Sequence, residues 1–521
     1  MLDYRRFFFL CGLLMYLNGS VHADCYSDRL VTSASEIFEA MGDVKEKCDL
    51  QGDSIGLAKS GFIRKKSNFN LSLLWAQELV GADLAKKALN GNSTKIPVAV
   101  YELGNDKTRN CAIPGTLHRR CEGKAFRYQM HLTEVTGLVT GGSSAAGTNN
   151  ANVLGIYSSQ SFFDPAVWPI PGMEEDPYFV NLSQATQNEK FGMKINRISK
   201  ETKSVPIIAA GNTGEYKDIL FYRKIDAIKV GSTAVGGWIG PVSSKIAVDV
   251  WVPSDKLLAS STGSQALEFG ATSGATPQVT SALVNFTAAS GIRLNLQQAQ
   301  LLLKKTNTPL FGPPFFSSGM LNAYKMTRVG DKIRNLSRDK NFDLNKALAD
   351  PSLYDFLDEQ KALQAVATKA LSLSPLSCKG LKEAFTSLRK SFLLNPNKED
   401  AKKLARIYRT LGLVANAQFY ENQFVNPNLD QIVRSLNEMR SVAPELLESH
   451  ALASIFRAIN TDKEKRELVL KVFKHSEHRS DIQLALFELD RMSGGRKSLQ
   501  EIYPSAKGVL KEEMDRLFQS K

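Results

Sequence analysis

Four short runs constrain the fold of this chain more than any other feature: IPVAVYE (96–102), YFVNLS (178–183), VPIIAAG (205–211) and AIKVGS (227–232). Each is rich in β-branched or aromatic residues, is mostly continuous rather than alternating in polarity, and ends in small, polar or acidic residues that favour turns. Strands that are apolar on both faces belong in a parallel sheet covered by helices. Helical stretches fall between and after the runs. TEVTGLVTGG (133–142) reads as a helix after a strand or loop, and TPQVTSALVNFTAASG (276–291) as a buried helix opened by Pro277. The alternation predicts a doubly wound, mostly parallel α/β domain over residues 68–328, with a ligand site beyond the carboxyl ends of the strands.

After about residue 329 the texture changes to Leu, Ala, Lys and Glu at helical spacing, with few glycines and no strand-like run. A chain of 521 residues exceeds the usual limit of one core, about 250 to 300 residues. A separate all-α domain is therefore expected over 329–521. Within it two Asn-Pro turns, Asn395-Pro396 and Asn426-Pro427, bracket a helical hairpin whose Tyr408, Leu411, Gly412 and Ala417 resemble the core of one degenerate tetratricopeptide repeat. An irregular helical bundle is the alternative. The hairpins are expected to stack and to serve contact with a protein partner, an expectation that rests mainly on the repeat resemblance.

The N-terminus reads as a secretory signal over residues 1–23: MLDYRR, then the apolar run FFFLCGLLMYL, then NGSVHA, with cleavage expected after Ala23. That run is too short to span a bilayer, so no membrane anchor is expected after cleavage, and the protein is expected to be extracytoplasmic, secreted or periplasmic. Residues 24–67 form a polar N-terminal extension. Beyond the signal, Cys25 with Cys48 and Cys111 with Cys121 are sequence-local pairs able to form disulfides in an oxidising compartment, while Cys378 stands alone. No cysteine–histidine spacing fits zinc, and no metal or cofactor is expected. The hydrophobic fraction of 43% excludes wholesale disorder. The net charge of +13 comes from basic residues interspersed with acids, without aromatic-basic recognition motifs, so nucleic acid is not expected as a partner.

The chemistry is concentrated in GATSGATPQVTSALV (270–284). Ser273 sits at a helix N-terminus, where free N–H groups and the helix dipole favour developing negative charge. A serine nucleophile needs a base. Beyond the signal the chain has His118, His131, His450, His475 and His478, and the last three lie in the helical half. His118 stands beside Arg119 and Arg120, cations that depress its basicity. Elimination leaves His131, read as the first residue of the helix HLTEVTGLV. Glu102, at the carboxyl end of a strand, supplies a carboxylate to orient it, or else is a surface loop acid. Asn212, after Ala-Gly at the end of VPIIAAGN, is either an oxyanion donor or a turn former.

In the order carboxylate, His, Asn, Ser, these segments resemble the subtilisin-like serine proteases. Ala271-Thr272-Ser273-Gly274-Ala275-Thr276-Pro277-Gln278 is similar to the family's Gly-Thr-Ser-Met-Ala-Thr-Pro-His. His131-Leu132-Thr133-Glu134-Val135-Thr136-Gly137 is similar to His-Gly-Thr-His-Val-Ala-Gly, and Val98-Ala99-Val100-Tyr101-Glu102-Leu103-Gly104 to Val-Ala-Val-Ile-Asp-Thr-Gly. FVNLS (179–183) looks like the strand lining the family's substrate cleft, and GMLNAYKM (319–326) like its domain-ending Gly-x-x-Asn-Ala. The departures are Glu102 for Asp, Leu132 for the glycine after the base, Gln184-Ala185 for Leu-Gly, and Gln278 for the second histidine. Many family members carry a prodomain and calcium sites; residues 24–67 are short for the first, and no ligand loop matches the second.

The resemblance implies an endopeptidase acting on polypeptide substrates through a Ser-His-Glu triad: Ser273 attacks, His131 moves the proton, Glu102 orients His131, and Asn212 with the Ser273 N–H holds the oxyanion. The alternative is a catalytically inactive scaffold of the same fold that binds extracytoplasmic polypeptides through its helical half.

Overall fold

The computed structural model describes most of residues 75–519; the stretches 1–74, 103–125, 141–147, 159–175, 185–188, 213–223, 261–265, 311–317, 373–377 and 443–451, with some shorter ones, lie outside the described residues. The expected signal, the N-terminal extension, both cysteine pairs and His118 all fall in those stretches.

Six strands form one parallel sheet: β1 (Ile96–Glu102), β2 (Ala151–Ser158), β3 (Phe179–Leu182), β4 (Val205–Ala209), β5 (Ile228–Thr233) and β6 (Val250–Pro253), in the order β2-β1-β3-β4-β5-β6. The four runs singled out in the sequence are β1, β3, β4 and β5. Strands β2 and β6 complete the sheet, and β7 (Leu257–Ser260) and β8 (Ala266–Phe269) pair antiparallel as a separate two-stranded sheet. Because side chains alternate along a strand, the sheet divides its apolar residues between two cores. Val98 and Val100 of β1 join the larger core. Ala99 and Tyr101, with Val180, Leu182 and Ile208, face a smaller one.

Helices α1 (Trp75–Val80), α2 (Ala82–Ala88), α3 (Phe126–Thr140) and α4 (Glu189–Glu201) accompany the sheet. Helix α4 closes the smaller core with Phe191, Ile195 and Ile198, spaced i, i+4, i+7 on one face. Against the opposite face lies α5 (Ala271–Ser290), buried along nearly its whole length. A helix buried all round needs neighbours on every side. It has them: α3, the strands β3 to β6, and α7 (Ala323–Leu336). Helix α6 (Leu296–Thr306) precedes α7 and is opened by a capping box of Asn295 and Gln298. Helix α7 approaches α5 so closely at Gly330 that a β-carbon there would lie 2.8 Å from Ala289 Cβ and 2.9 Å from the Phe286 carbonyl oxygen.

Two helix starts differ from the sequence expectation. Helix α3 begins at Phe126, so His131 lies in its second turn; no breaker separates Phe126 from His131, and Arg127, Gln129 and Met130 are good helix formers. Helix α5 begins at Ala271, so Pro277 lies inside it. Pro277 removes the N–H that would bond the Ser273 carbonyl. The turn is held instead by side chains: Thr276 Oγ1 donates to the Thr272 carbonyl at 2.7 Å and Gln278 Nε2 to the Gly274 carbonyl at 3.1 Å.

From α7 onward every described element is helical: α8 (Leu344–Ala349), α9 (Leu357–Leu371), α10 (Cys378–Leu394), α11 (Lys398–Thr410), α12 (Val414–Tyr420), α13 (Leu429–Val442), α14 (Asp462–His475), α15 (Arg479–Arg491), α16 (Gly495–Ile502) and α17 (Gly508–Gln519), with short 3-10 turns and a π turn at Glu421–Val425. The Asn-Pro turn before α11 is organised by the buried Asp400, which accepts from Ser391 Oγ (2.5 Å), Asn397 Nδ2 (2.8 Å) and Gln364 Nε2 (3.0 Å). Residue 329, where the sequence texture changes, falls inside α7. Apolar residues from Trp75 to Met514 form one continuous cluster.

Polar ties cross the same joint. Asn322 caps α7 and donates through Nδ2 to the Leu393 carbonyl at 2.7 Å. The fully buried Arg389 of α10 grips both Asp83 carboxylate oxygens (2.7 and 2.8 Å) and the Glu78 carbonyl (2.6 Å). Tyr408 of α11 donates to Glu78 Oε2 at 3.2 Å and stacks on Tyr420. Burial opposes the charge on Arg389, but the Asp83 carboxylate outweighs it, and the guanidinium stays above its ordinary range.

Candidate active site

All six strands run the same way, and β1 pairs with β2 on one side and β3 on the other, so the strand order reverses at β1. The crevice outside the carboxyl ends at such a reversal is where open α/β sheets hold ligands. Glu102 is the last residue of β1 there. Ser183 follows β3, and Asn212 lies three residues beyond the end of β4. Ser254 follows β6, facing the start of α5.

Ser273 is half-buried in the first turn of α5, two residues after Ala271. Its N–H is among the first four of the helix, which have no acceptor within it. The approach to that turn is tightly specified. Gly270 is extended, at φ −173°, and Ala271 turns into the left-handed region at φ +55°. That region costs a residue with a β-carbon roughly 1–2 kcal/mol. Ser254 Oγ holds the turn by donating to the Ala271 carbonyl at 2.6 Å.

Asn212 is joined directly to this turn. The Thr272 N–H and the Thr272 hydroxyl both donate to Asn212 Oδ1, at 3.1 and 2.5 Å. A backbone N–H only donates, so its partner is the amide oxygen, and the planar amide then directs Nδ2 away from Thr272. The side chain is exposed. An amide N–H held near a helix N-terminus is a group able to stabilise negative charge that develops there.

Half-buried His131 lies on α3, which packs against α5, and β1 touches both helices. The structure thus brings together the elements bearing Glu102, His131, Asn212 and Ser273. Among these residues, Asn212 bonds directly to Thr272, which precedes Ser273.

Several supporting residues had no role assigned to them in the sequence. Asn181, fully buried in β3, donates to Ser183 Oγ (3.0 Å) and accepts from Thr280 Oγ1 of α5 (2.9 Å), fixing the helix that carries Ser273 against β3. The signal was available: a polar residue inside a doubly buried strand needs a partner. Gln278 donates to the Pro253 carbonyl at 2.9 Å as well as to Gly274, tying α5 to β6. Thr272 gave no signal beyond standing next to the serine, because its partner is 60 residues away.

No protein-family model matches the sequence, and no curated protein matches it. Solved structures are similar over about half of the chain. A protease from Pseudoalteromonas arctica is 16% identical, with 50% of this chain and 98% of that one covered and a TM-score of 0.39. A subtilase cytotoxin assembly is 15% identical, with 50% and 98% covered and a TM-score of 0.41. A cold-adapted subtilisin-like serine proteinase is 17% identical, with 45% and 89% covered and a TM-score of 0.37.

Proposed function

We propose that this chain is an exported serine endopeptidase of the subtilisin-like type, working through Ser273, His131, Glu102 and Asn212. The observation that carries the reading is the bond from Thr272 to Asn212 Oδ1, which presents the asparagine amide N–H beside the nucleophile's helix turn. In the proposed reaction Ser273 Oγ attacks the peptide carbonyl as its proton passes to His131. Negative charge gathers on the carbonyl oxygen, opposite Asn212 Nδ2 and the Ser273 N–H. The C–N bond then breaks, His131 returns the proton to the leaving amine, and an acyl-Ser273 ester remains. Water, deprotonated by His131, attacks the ester and restores Ser273. Glu102 orients the imidazole throughout. The signal-like N-terminus supports export.

A fluorophosphonate probe is expected to label the purified, matured protein at Ser273, and the Ser273→Ala variant is expected to remain unlabelled. Folded wild type that takes no label while Glu102→Asp does would favour the inactive scaffold, and labelling at another residue would remove Ser273 from its role.

A further inference from the structure

We propose that Ser254 is a positioning residue for Ser273: its hydroxyl locks the strained peptide group through which the nucleophile's helix meets Asn212. The proposal rests on the reading of Ser273 as the nucleophile. The peptide group that joins Ala271 to Thr272 is planar, so its carbonyl and its N–H move as one body. Each end is held by a different strand's side chain. Ser254 Oγ, just after β6, donates to the Ala271 carbonyl at 2.6 Å, and Asn212 Oδ1, beyond β4, accepts from the Thr272 N–H at 3.1 Å. Without such a grip Ala271 would leave its φ of +55°, where its β-carbon is crowded, and an ordinary φ would swing this peptide group away from Asn212.

Ser254 is the rigid end of this clamp. It is fully buried, and its own N–H donates to the Thr233 carbonyl at the end of β5 at 3.1 Å. The carbonyl of Pro253, its neighbour, accepts from Gln278 Nε2 at 2.9 Å, and the same amide nitrogen reaches the Gly274 carbonyl in the first turn of α5 at 3.1 Å. The corner of β6 is thereby fixed to β5 and to α5 at once, so the hydroxyl is delivered from a set position. Asn212, by contrast, is exposed and lies beyond its strand. The subtilisin-like pattern has glycine at position 271, which adopts this φ without strain. With alanine there, the turn depends on the Ser254 bond, and through the turn so does the relation between Ser273 and Asn212.

The test is amide hydrogen exchange, followed by NMR, in the intact protein labelled with isotopic threonine, the Thr272 signal assigned by its loss in Thr272→Ser. Ser254→Ala is expected to speed exchange at Thr272 about tenfold, the order by which one lost buried hydrogen bond shifts the opening of a turn. Thr280, farther along α5, is the control: a general loss of stability quickens both amides, loss of the clamp Thr272 alone. Ala271→Gly removes the strain, so the double variant with Ser254→Ala is expected to exchange at close to the wild-type rate. Unchanged exchange at Thr272 in Ser254→Ala overturns the proposal, and so does equal acceleration at Thr280. Should Ser254→Ala not fold, the double variant is compared with Ala271→Gly alone, and equal exchange at Thr272 in the two overturns it. Exchange needs no turnover, so wild type that takes no fluorophosphonate removes the protease reading without altering this outcome. Where labelling occurs, its limiting rate in Ser254→Ala is expected to fall about tenfold at an unchanged half-saturating probe concentration, because the serine is misplaced while the probe still binds. An unchanged limiting rate overturns the assignment of Ser254 to Ser273.

Discussion

Ala271 carries the clearest local cost in the described site. Its φ of +55° lies where glycine is at ease, and glycine is the residue at this position in the subtilisin-like pattern. The turn is nevertheless kept, because it delivers Thr272 to Asn212 and its carbonyl is held by Ser254. Replacing Ala271 with Gly is expected to stabilise the protein by about 1 kcal/mol, read as a higher denaturant midpoint at unchanged slope. A lower midpoint would mean that the contacts of the methyl group outweigh the strain. The same turn engages Asn212: its oxygen is committed to the helix N-terminus, and that commitment sets the direction of its N–H.

Among the elements, α5 decides most, since it carries Ser273 and is packed by the sheet on one side and α7 on the other. Gly330 is a point of close approach between α7 and α5. Helix propensity alone predicts that Gly330→Ala gains about 1 kcal/mol. The 2.8 and 2.9 Å approaches predict the opposite, a loss of about 1–3 kcal/mol through overpacking, visible as a lower melting temperature. A stabilised variant would show that the two helices separate at little cost. Pro277 was legible as a helix signal, but its place within the helix was not. A proline inside a helix is tolerated here because Thr276 and Gln278 bond first-turn carbonyls with their side chains.

Across the molecule, the joint between α1–α2 and α10–α12 couples the two halves through Arg389, Asp83, Glu78 and Tyr408. Burial, reinforced by the Glu78 carboxylate, pushes the Tyr408 phenol well above its ordinary 10.0, and burial raises Tyr420 in the same direction. Above that ordinary value the unfolded chain releases protons that the folded protein keeps, so stability falls as pH rises. Denaturant midpoints measured from about pH 8 to about pH 11 should be level at first and then decline. In Tyr408→Phe the decline should be shallower, although the variant starts from a lower midpoint through loss of the bond to Glu78. An identical decline would assign the alkaline sensitivity to other groups.

The sequence by itself determined the α/β character of the first half, the helical character of the second, and the four elements that meet at the candidate site. These are properties of local pattern: doubly apolar runs such as VPIIAAG, rich in β-branched residues and ended by glycine, suit a covered parallel sheet, and Leu-Ala-Lys-Glu spacing suits helix. Strands β2 and β6 were harder to read because ANVLGIYS and VWVP are short or interrupted by glycine or proline. Only the tertiary structure decided that Asn212 meets Thr272, that Asn181 binds Thr280, and that Arg389 reaches Asp83 across 306 positions. Such pairings leave no periodicity to read, since the partners are brought together by the packing of whole elements rather than by spacing along the chain.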